Sequence, residues 1–327
     1  MRILTASDIA RLLPYSACIG AMREAMRRTS ERAVVLPLRQ FMNVPGTQGK
    51  LGLMPGYLSD PAGFGVKIVS KFPRAPGAAH GSHVGAVMLF DAAEGLPLAL
   101  LDGGMLTAIR TASTTAMATD ALARPDAQSL LLVGCGEEAE HHLAALREVR
   151  AFGTIRAWGR DPGRAAAFAA RMSSRHGRQV EPVGDLAAAV AAADVICTVT
   201  SAATPVLRGE WLVPGQHVNL VGSAVPTTAE ADGEVVRRSR FYVDYREAAM
   251  AAAGELLAAI RDGLVTAQHV RGEIGEVLLG RVAGRESAAD VTLYKSLGVT
   301  SQDLAAAHLV YETAVARGVG LDVELGH

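Results

Sequence analysis

Residues 130–143 read LLLVGCGEEAEHHL, and how this stretch is read decides the fold. An apolar run ends at Val133, two glycines flank Cys135, and a helical pattern opens at Glu137. A strand that turns into a helix through two glycines reads like the first βα unit of a dinucleotide-binding sheet, a reading that needs a βαβ series after it. Gly134 allows the tight turn, and Gly136 lets backbone approach a pyrophosphate. Ala139 keeps the helix close to the strand. The helix N-terminus then offers free N–H groups to phosphate. Such turns often sit near an N-terminus, yet this one follows well over a hundred residues.

Downstream of the turn the rhythm is regular. Strand-like SLLLV, TIRAW, QVEPV, DVICTVT, HVNLVG and RFYVD alternate with helical EEAEHHLAALREV, DPGRAAAFAARMSS and DLAAAVAAA. That spacing means βαβ units and a parallel, doubly wound sheet. Upstream, TASDIARLL places Thr5 or Ser7 as a helix cap with Asp8 in the first turn. One helix is expected from there to about Arg28. Pieces broken by Gly and Pro follow: VVLPLRQFMNV, KLGLMPGYL, FGVKIVSKF, GAVMLFD and LPLALLD. They suggest a mostly antiparallel sheet, the last two joined as a hairpin through DAAEG. Met105 to Ala123 reads as a long helix rich in small residues. The segment SQDLAAAHLVYETAVARG comes after the parallel sheet is complete and is expected to pack back on the first domain.

The expected class is therefore α/β, a Rossmann doubly wound parallel sheet inserted in a smaller α+β domain. The smaller domain is expected over residues 1–120 plus 304–327, and the nucleotide domain over 121–303. The chain has 327 residues, half of them hydrophobic, which is enough for two cores. The formal net charge is -1, from 32 basic and 33 acidic residues, so nothing favours nucleic acid or a membrane surface. No apolar run approaches the roughly 20 residues a membrane span needs. The N-terminus lacks a signal-peptide core, so a cytoplasmic protein is expected. Cys18, Cys135 and Cys197 are too few and scattered for a disulfide framework or a zinc site, and no metal is expected.

The second strand ends in AWGRDP. Gly159 removes the carboxylate that would repel a 2′-phosphate, and Arg160 offers a bidentate partner for one. This favours NADP(H) over NAD(H); the competing reading gives Asp161 the ribose hydroxyls. In the first region Arg39, Lys67 and Arg110 each lie among apolar residues. Taken singly, such cations pack their stems and send their heads to solvent. Taken together, they can converge on a carboxylate.

The segments MPGYL, GVKIVSKFP, LFDAAEGLPLALLDGGMLTAIRTASTTA, VGCGEEA, WGRDP, TPVLRGEWLVPGQHVNLVGS and YKSLG, in this order, resemble the ornithine cyclodeaminase / μ-crystallin family. The resemblance runs from about Leu36 to Ala316. It implies a homodimer with a substrate and dimerisation domain built from the N-terminal part plus the last helix. Arg39, Lys67 and Arg110 fall at the positions for the substrate carboxylate and amino group. Ser82 and Ser296 match cofactor contacts, and Glu137 and Glu138 sit where backbone meets the pyrophosphate. Thr198 and the run from Asn219 to Gly222 match the nicotinamide side.

One departure bears on the reaction. In the family's cyclodeaminases an aspartate after NxVG holds the distal amino group of ornithine; the matching residue here is Ala224, with Glu230 and Asp232 further on. The expected activity is thus NAD(P)H-dependent reduction at the C–N bond of a small imino acid, foremost a pyrroline or piperideine 2-carboxylate. Arg39 and Arg110 would clamp the carboxylate, and Lys67, its pKa lowered beside two arginines, would assist proton movement. The alternatives are ornithine cyclodeamination, alanine or opine-type dehydrogenation, and a non-catalytic, NADP-binding μ-crystallin-like protein.

Overall fold

Two units make up the chain, Met1–Thr111 with Val299–His327, and Ala112–Gly298. The computed structural model describes residues 1–73 and 83–325. Ser82 lies outside the described residues.

The first unit is organised round four antiparallel strands, Lys50–Ser59, Ala62–Lys71, His83–Asp91 and Pro97–Asp102. The hairpin at DAAEG forms: the Asp91 carboxylate accepts from the N–H groups of Ala93 and Glu94, and Gly95 takes φ +73°. Val34–Val35 and Gln40–Asn43 pair with the outer strand. On the other side Arg2–Leu4 runs parallel to Pro97–Asp102 and Leu321–Asp322 closes the edge, so the sheet is mixed. The single N-terminal helix expected is two, Ala6–Leu12 and Tyr15–Ser30. Thr5 caps the first in a reciprocal box with Asp8. Pro14 has no N–H with which to carry that helix on, and it becomes the N-cap of the second.

The helix Thr300–Arg317 lies on one face of this sheet. Side chains alternate along Ala62–Lys71, so Gly63, Gly65 and Lys67 share a face, and Phe64, Val66 and Ile68 share the other. A Cβ on Gly63 would sit 2.2 Å from His308 Nε2, and one on Gly65 3.0 Å from Leu304 Cδ2. The glycines thus face the helix and let its backbone approach, and Lys67 comes next along the same face. Leu58, Val87, Leu89, Leu101, Leu304 and Val310 close the core around it.

The second unit holds an eight-stranded sheet, parallel throughout. Its order is Glu181–Pro182, Thr154–Trp158, Ser129–Val133, Val195–Thr198, His217–Leu220, Thr292–Lys295, Arg240–Val243, Val270–Glu273. The order reverses between Ser129–Val133 and Val195–Thr198, and at such a switch point the crevice outside the strand ends accepts ligands. Two of these strands, Thr292–Lys295 and Val270–Glu273, carry charged ends that hide them from a reading by hydrophobicity. Lys295, fully buried, is accommodated by the Ser223 carbonyl at 2.6 Å and the Glu255 carboxylate at 3.0 Å. Among the described residues no helix is long and apolar enough to cross a membrane.

Candidate anion and dinucleotide sites

In the first unit the cations gather at the start of the last helix. Lys67 and Arg110 are buried, and both bond the same atom, Asp303 Oδ1, at 3.4 and 2.8 Å. Arg110 Nη1 also donates to Gln302 Oε1 at 2.9 Å. The first turn of this helix, TSQD, is wholly buried and wholly polar, so each residue needs a partner. Thr300 donates to the Met54 carbonyl, Ser301 shares a 2.8 Å bond with Thr29, and Gln302 Nε2 reaches Met26 Sδ. Asp303 takes the two cations.

The electrostatics follow from this packing. Burial pulls the Lys67 ammonium down to about 8, against the pull of Asp303 and with the repulsion of Arg110 and Arg39. Burial alone would raise the Asp303 carboxyl, but Arg110 and then Lys67 outweigh it and hold it below its ordinary value. Arg39 lies half-buried just before the strand Gln40–Asn43, and its charge acts on both Lys67 and Lys71. The structure therefore brings Arg39, Lys67 and Arg110 into one electrostatic neighbourhood. It adds Asp303 and Gln302, which the sequence reading missed. An acid in a first helical turn looks like ordinary capping. The usable signal was that DLAAAHLV is apolar nearly all round, so that an acid at its head must be buried and paired.

In the second unit the glycine turn has the expected form. Gly134 has φ +129°, and a Cβ there would stand 2.7 Å from the Val199 carbonyl oxygen, across the switch point. Gly136 caps the helix Glu137–Val149 without a side chain, and a Cβ there would meet nothing within 4 Å. A bare N-cap with open space before it, leading into the first-turn N–H groups of Glu137, Glu138 and Ala139, is a cradle that suits a pyrophosphate. Ala139 is fully buried and keeps the helix tight. Behind it, His142 Nδ1–H donates to the Glu138 carbonyl at 2.6 Å and Nε2 accepts from Thr115 at 3.1 Å. Burial holds this imidazole near 4, so it is neutral and ties the helix down without charge.

The other candidate ligands of this unit stand at the carboxyl ends of neighbouring strands. Arg160 is exposed two residues past Thr154–Trp158. Asp161, its competitor, accepts from Arg164 N as the cap of Pro162–His176. At position 159 a Cβ would stand 3.0 Å from Cys135 Sγ, so the turn itself favours glycine there. Thr198 and Asn219 turn their side chains inward: Thr198 Oγ1 donates to Glu230, and Asn219 Nδ2 to Thr119. What they present at the strand ends is backbone. Gly222 is exposed, and a Cβ there would stand 2.0 Å from the Thr200 carbonyl oxygen. Ser296 is buried, its N–H bonded to the Leu220 carbonyl.

Glu230 explains this tight corner. Its fully buried carboxylate accepts from Thr198 Oγ1, Thr200 N, Thr200 Oγ1 and Gly222 N at 2.6–2.8 Å. Burial pushes the carboxyl up, opposed by Lys295 and the Thr200 and Thr198 donors. Asp232 is also committed, accepting from Val235 N as a helix cap and from Gly209 N. Both Glu230 oxygens are thus engaged, and Asp232 spends Oδ1 on backbone amides. Among the described residues no group of His, Cys, Asp and Glu is arranged to hold a metal ion.

The family model "Ornithine cyclodeaminase/mu-crystallin family" matches residues 1–318. A Delta(1)-pyrroline-2-carboxylate reductase of Bacillus cereus is 32% identical over 325 residues, spanning 99% of this chain and 100% of that protein. The ketimine reductase mu-crystallin of Macropus fuliginosus is 34% identical over 316 residues, 95% of this chain and 96% of its own. The structure of Thermococcus litoralis Delta(1)-pyrroline-2-carboxylate reductase, in complex with NADH and L-proline, superposes with a TM-score of 0.95 at 32% identity. It covers 99% of this chain and 100% of that one.

Proposed function

Since the chain belongs to the ornithine cyclodeaminase/mu-crystallin family, we propose that it reduces a small cyclic ketimine carboxylate, a pyrroline or piperideine 2-carboxylate, with NADPH. The chain is an NAD(P)-dependent oxidoreductase of this family; the substrate and the phosphorylated cofactor are the proposal. The observation that carries the reading is the convergence of Lys67 and Arg110 on one buried oxygen, with the charge of Arg39 acting there too. Asp303 answers one of these three positive charges, and the surplus calls for a further anion.

Arg110 and Arg39 take the substrate carboxylate and fix the position of its Cα, a proximity effect. Lys67 stands at the nitrogen and gives it a proton as the C=N bond is reduced. A nicotinamide, when bound, supplies the hydride. Gly134, Gly136 and the first-turn amides of Glu137, Glu138 and Ala139 hold its pyrophosphate. Backbone at Thr198, Asn219 to Gly222 and Ser296 borders the ring. The test is a panel of cyclic imino acids with each reduced cofactor, followed by nicotinamide absorbance. If none is consumed, the chain is a binding protein and the reading fails.

Arg160 carries the cofactor preference, with Asp161 occupied as a helix cap. Arg160→Ala should weaken NADPH about ten- to a hundredfold, the scale of a hydrogen bond to a charged group, and spare NADH. Equal loss for both cofactors, or none, would return the ribose to Asp161. Conversion of ornithine to proline and ammonia should be slow or absent. Position 224 is alanine, and Glu230 and Asp232 are spent on backbone and threonine donors. A buried distal ammonium would lack its partner. Rapid release of ammonia from ornithine and NAD+ would overturn this.

Assembly as a homodimer follows from the open face of the first sheet. Val35, Met42, Phe64, Ile68 and Val84 share that face and are 38–59% exposed. A continuous apolar face of this kind marks an interface. Sedimentation of the wild type as a monomer at micromolar concentration would exclude it.

A further inference from the structure

We propose that Asp303 is a positioning residue of the anion site: its carboxylate fixes Lys67 and Arg110 and keeps on Lys67 the proton that goes to the substrate nitrogen. The inference rests on the ketimine-reductase reading above and extends it to a residue outside the substrate-binding set.

Three observations carry it. Asp303 is fully buried, and it pairs with two cations. Both cations bond Oδ1, while Oδ2 has no hydrogen-bond partner among the described residues. A carboxylate kept only for stability would be expected to satisfy both oxygens. The helix that bears it is anchored at Thr300, Ser301 and Gln302, so the charge is held in place by its neighbours.

The charges facing Lys67 are Asp303 from the last helix, Arg110 from Gly103–Leu122 and Arg39 from the loop before Gln40–Asn43. Burial and both arginines drive Lys67 toward the neutral amine, and Asp303 alone of these opposes them. A neutral amine has no proton to give. In the reduction, hydride from the reduced nicotinamide adds to the imine carbon and the π pair moves to nitrogen. Nitrogen then takes a proton from Lys67 Nζ, and the amine recovers one from water. With Asp303 in place the donor stays charged up to about pH 8. Without it the donor form is lost earlier.

The chain has lysine only at 50, 67, 71 and 295. Titration of 13Cε-lysine-labelled protein by NMR can therefore follow Lys67 directly, with Lys67→Met assigning its signal. In Asp303→Asn the Lys67 signal should titrate at least about one pH unit lower than in the wild type. The basic limb of the kcat/KM profile should move down with it, so that kcat/KM at pH 8 falls about fivefold or more. In Asp303→Glu, which keeps the charge, the limb should stay put while kcat falls. An Asp303→Asn protein that melts lower but leaves the lysine titration unchanged overturns the proposal, and so does a shifted lysine with an unmoved limb. Should Asp303→Asn fail to fold, a basic limb displaced downward in Asp303→Glu overturns it instead. A wild type that reduces no cyclic ketimine refutes the function and with it the catalytic role of Asp303. The lysine titration would still decide the charge coupling.

Discussion

Replacing Lys67 by methionine is expected to lower kcat for imino-acid reduction by about a hundredfold or more, with a much smaller change in KM. Methionine keeps the length and bulk of the stem, and Lys67 is buried, so the strand and the helix above it should hold. What disappears is the proposed proton donor, and positioned general acids contribute typically about 10²–10⁴-fold. The carboxylate still finds Arg110 and Arg39. Steady-state kinetics across pH provide the check: the wild type should decline as pH rises through about 8, where Lys67 gives up its proton. The variant should lose that limb. Near-wild-type kcat would mean that the proton comes from another group.

Arg110→Ala should do more damage, and to stability as well as to rate. The guanidinium at 2.8 Å is the closer of the two cations on Asp303, and its loss leaves a fully buried carboxylate with only Lys67 at 3.4 Å. Removing one partner of a buried pair costs about 3–5 kcal/mol. In a chain of this size that lowers Tm by very roughly ten degrees. Adding Asp303→Asn to Arg110→Ala removes the stranded charge and should restore most of the stability but none of the activity. This is the signature of direct coupling in a double-mutant cycle. An Arg110→Ala protein that melts with the wild type would show that the pair is not coupled.

Much of this was legible beforehand. The glycine turn, the helix from Glu137 to Val149 and the hairpin at DAAEG rest on local rules of spacing and backbone freedom, and they appear where those rules put them. The N-terminal stretch forms two helices where one is expected, because Pro14 interrupts it. Thr292–Lys295 and Val270–Glu273 escaped because both are short and end in a charge; Lys295 is matched by Glu255, forty residues away in sequence. Asp303 escaped because its partner is distant too, lying 236 residues from Lys67. The roles of Glu230 and Asp232 could not be assigned from sequence. Whether an acid is free or spent depends on which loop amides reach it, and Thr200 and Gly222 come from two different strand ends.

The strand Ala62–Lys71 carries two jobs on opposite sides of a single backbone. Gly63, Gly65 and Lys67 look toward the helix, while Phe64 and Ile68 look out. Because side chains alternate strictly, inserting or deleting one residue upstream within this strand would exchange the two sets at a stroke. The ammonium would then project into the open apolar face, and the Phe64 ring would be driven under a helix that leaves room only for glycine there. The proposed dimer face and the proposed proton donor thus share one reading frame. Point substitutions can tune either side separately, but insertions and deletions cannot, and this segment should tolerate changes of residue while rejecting changes of length.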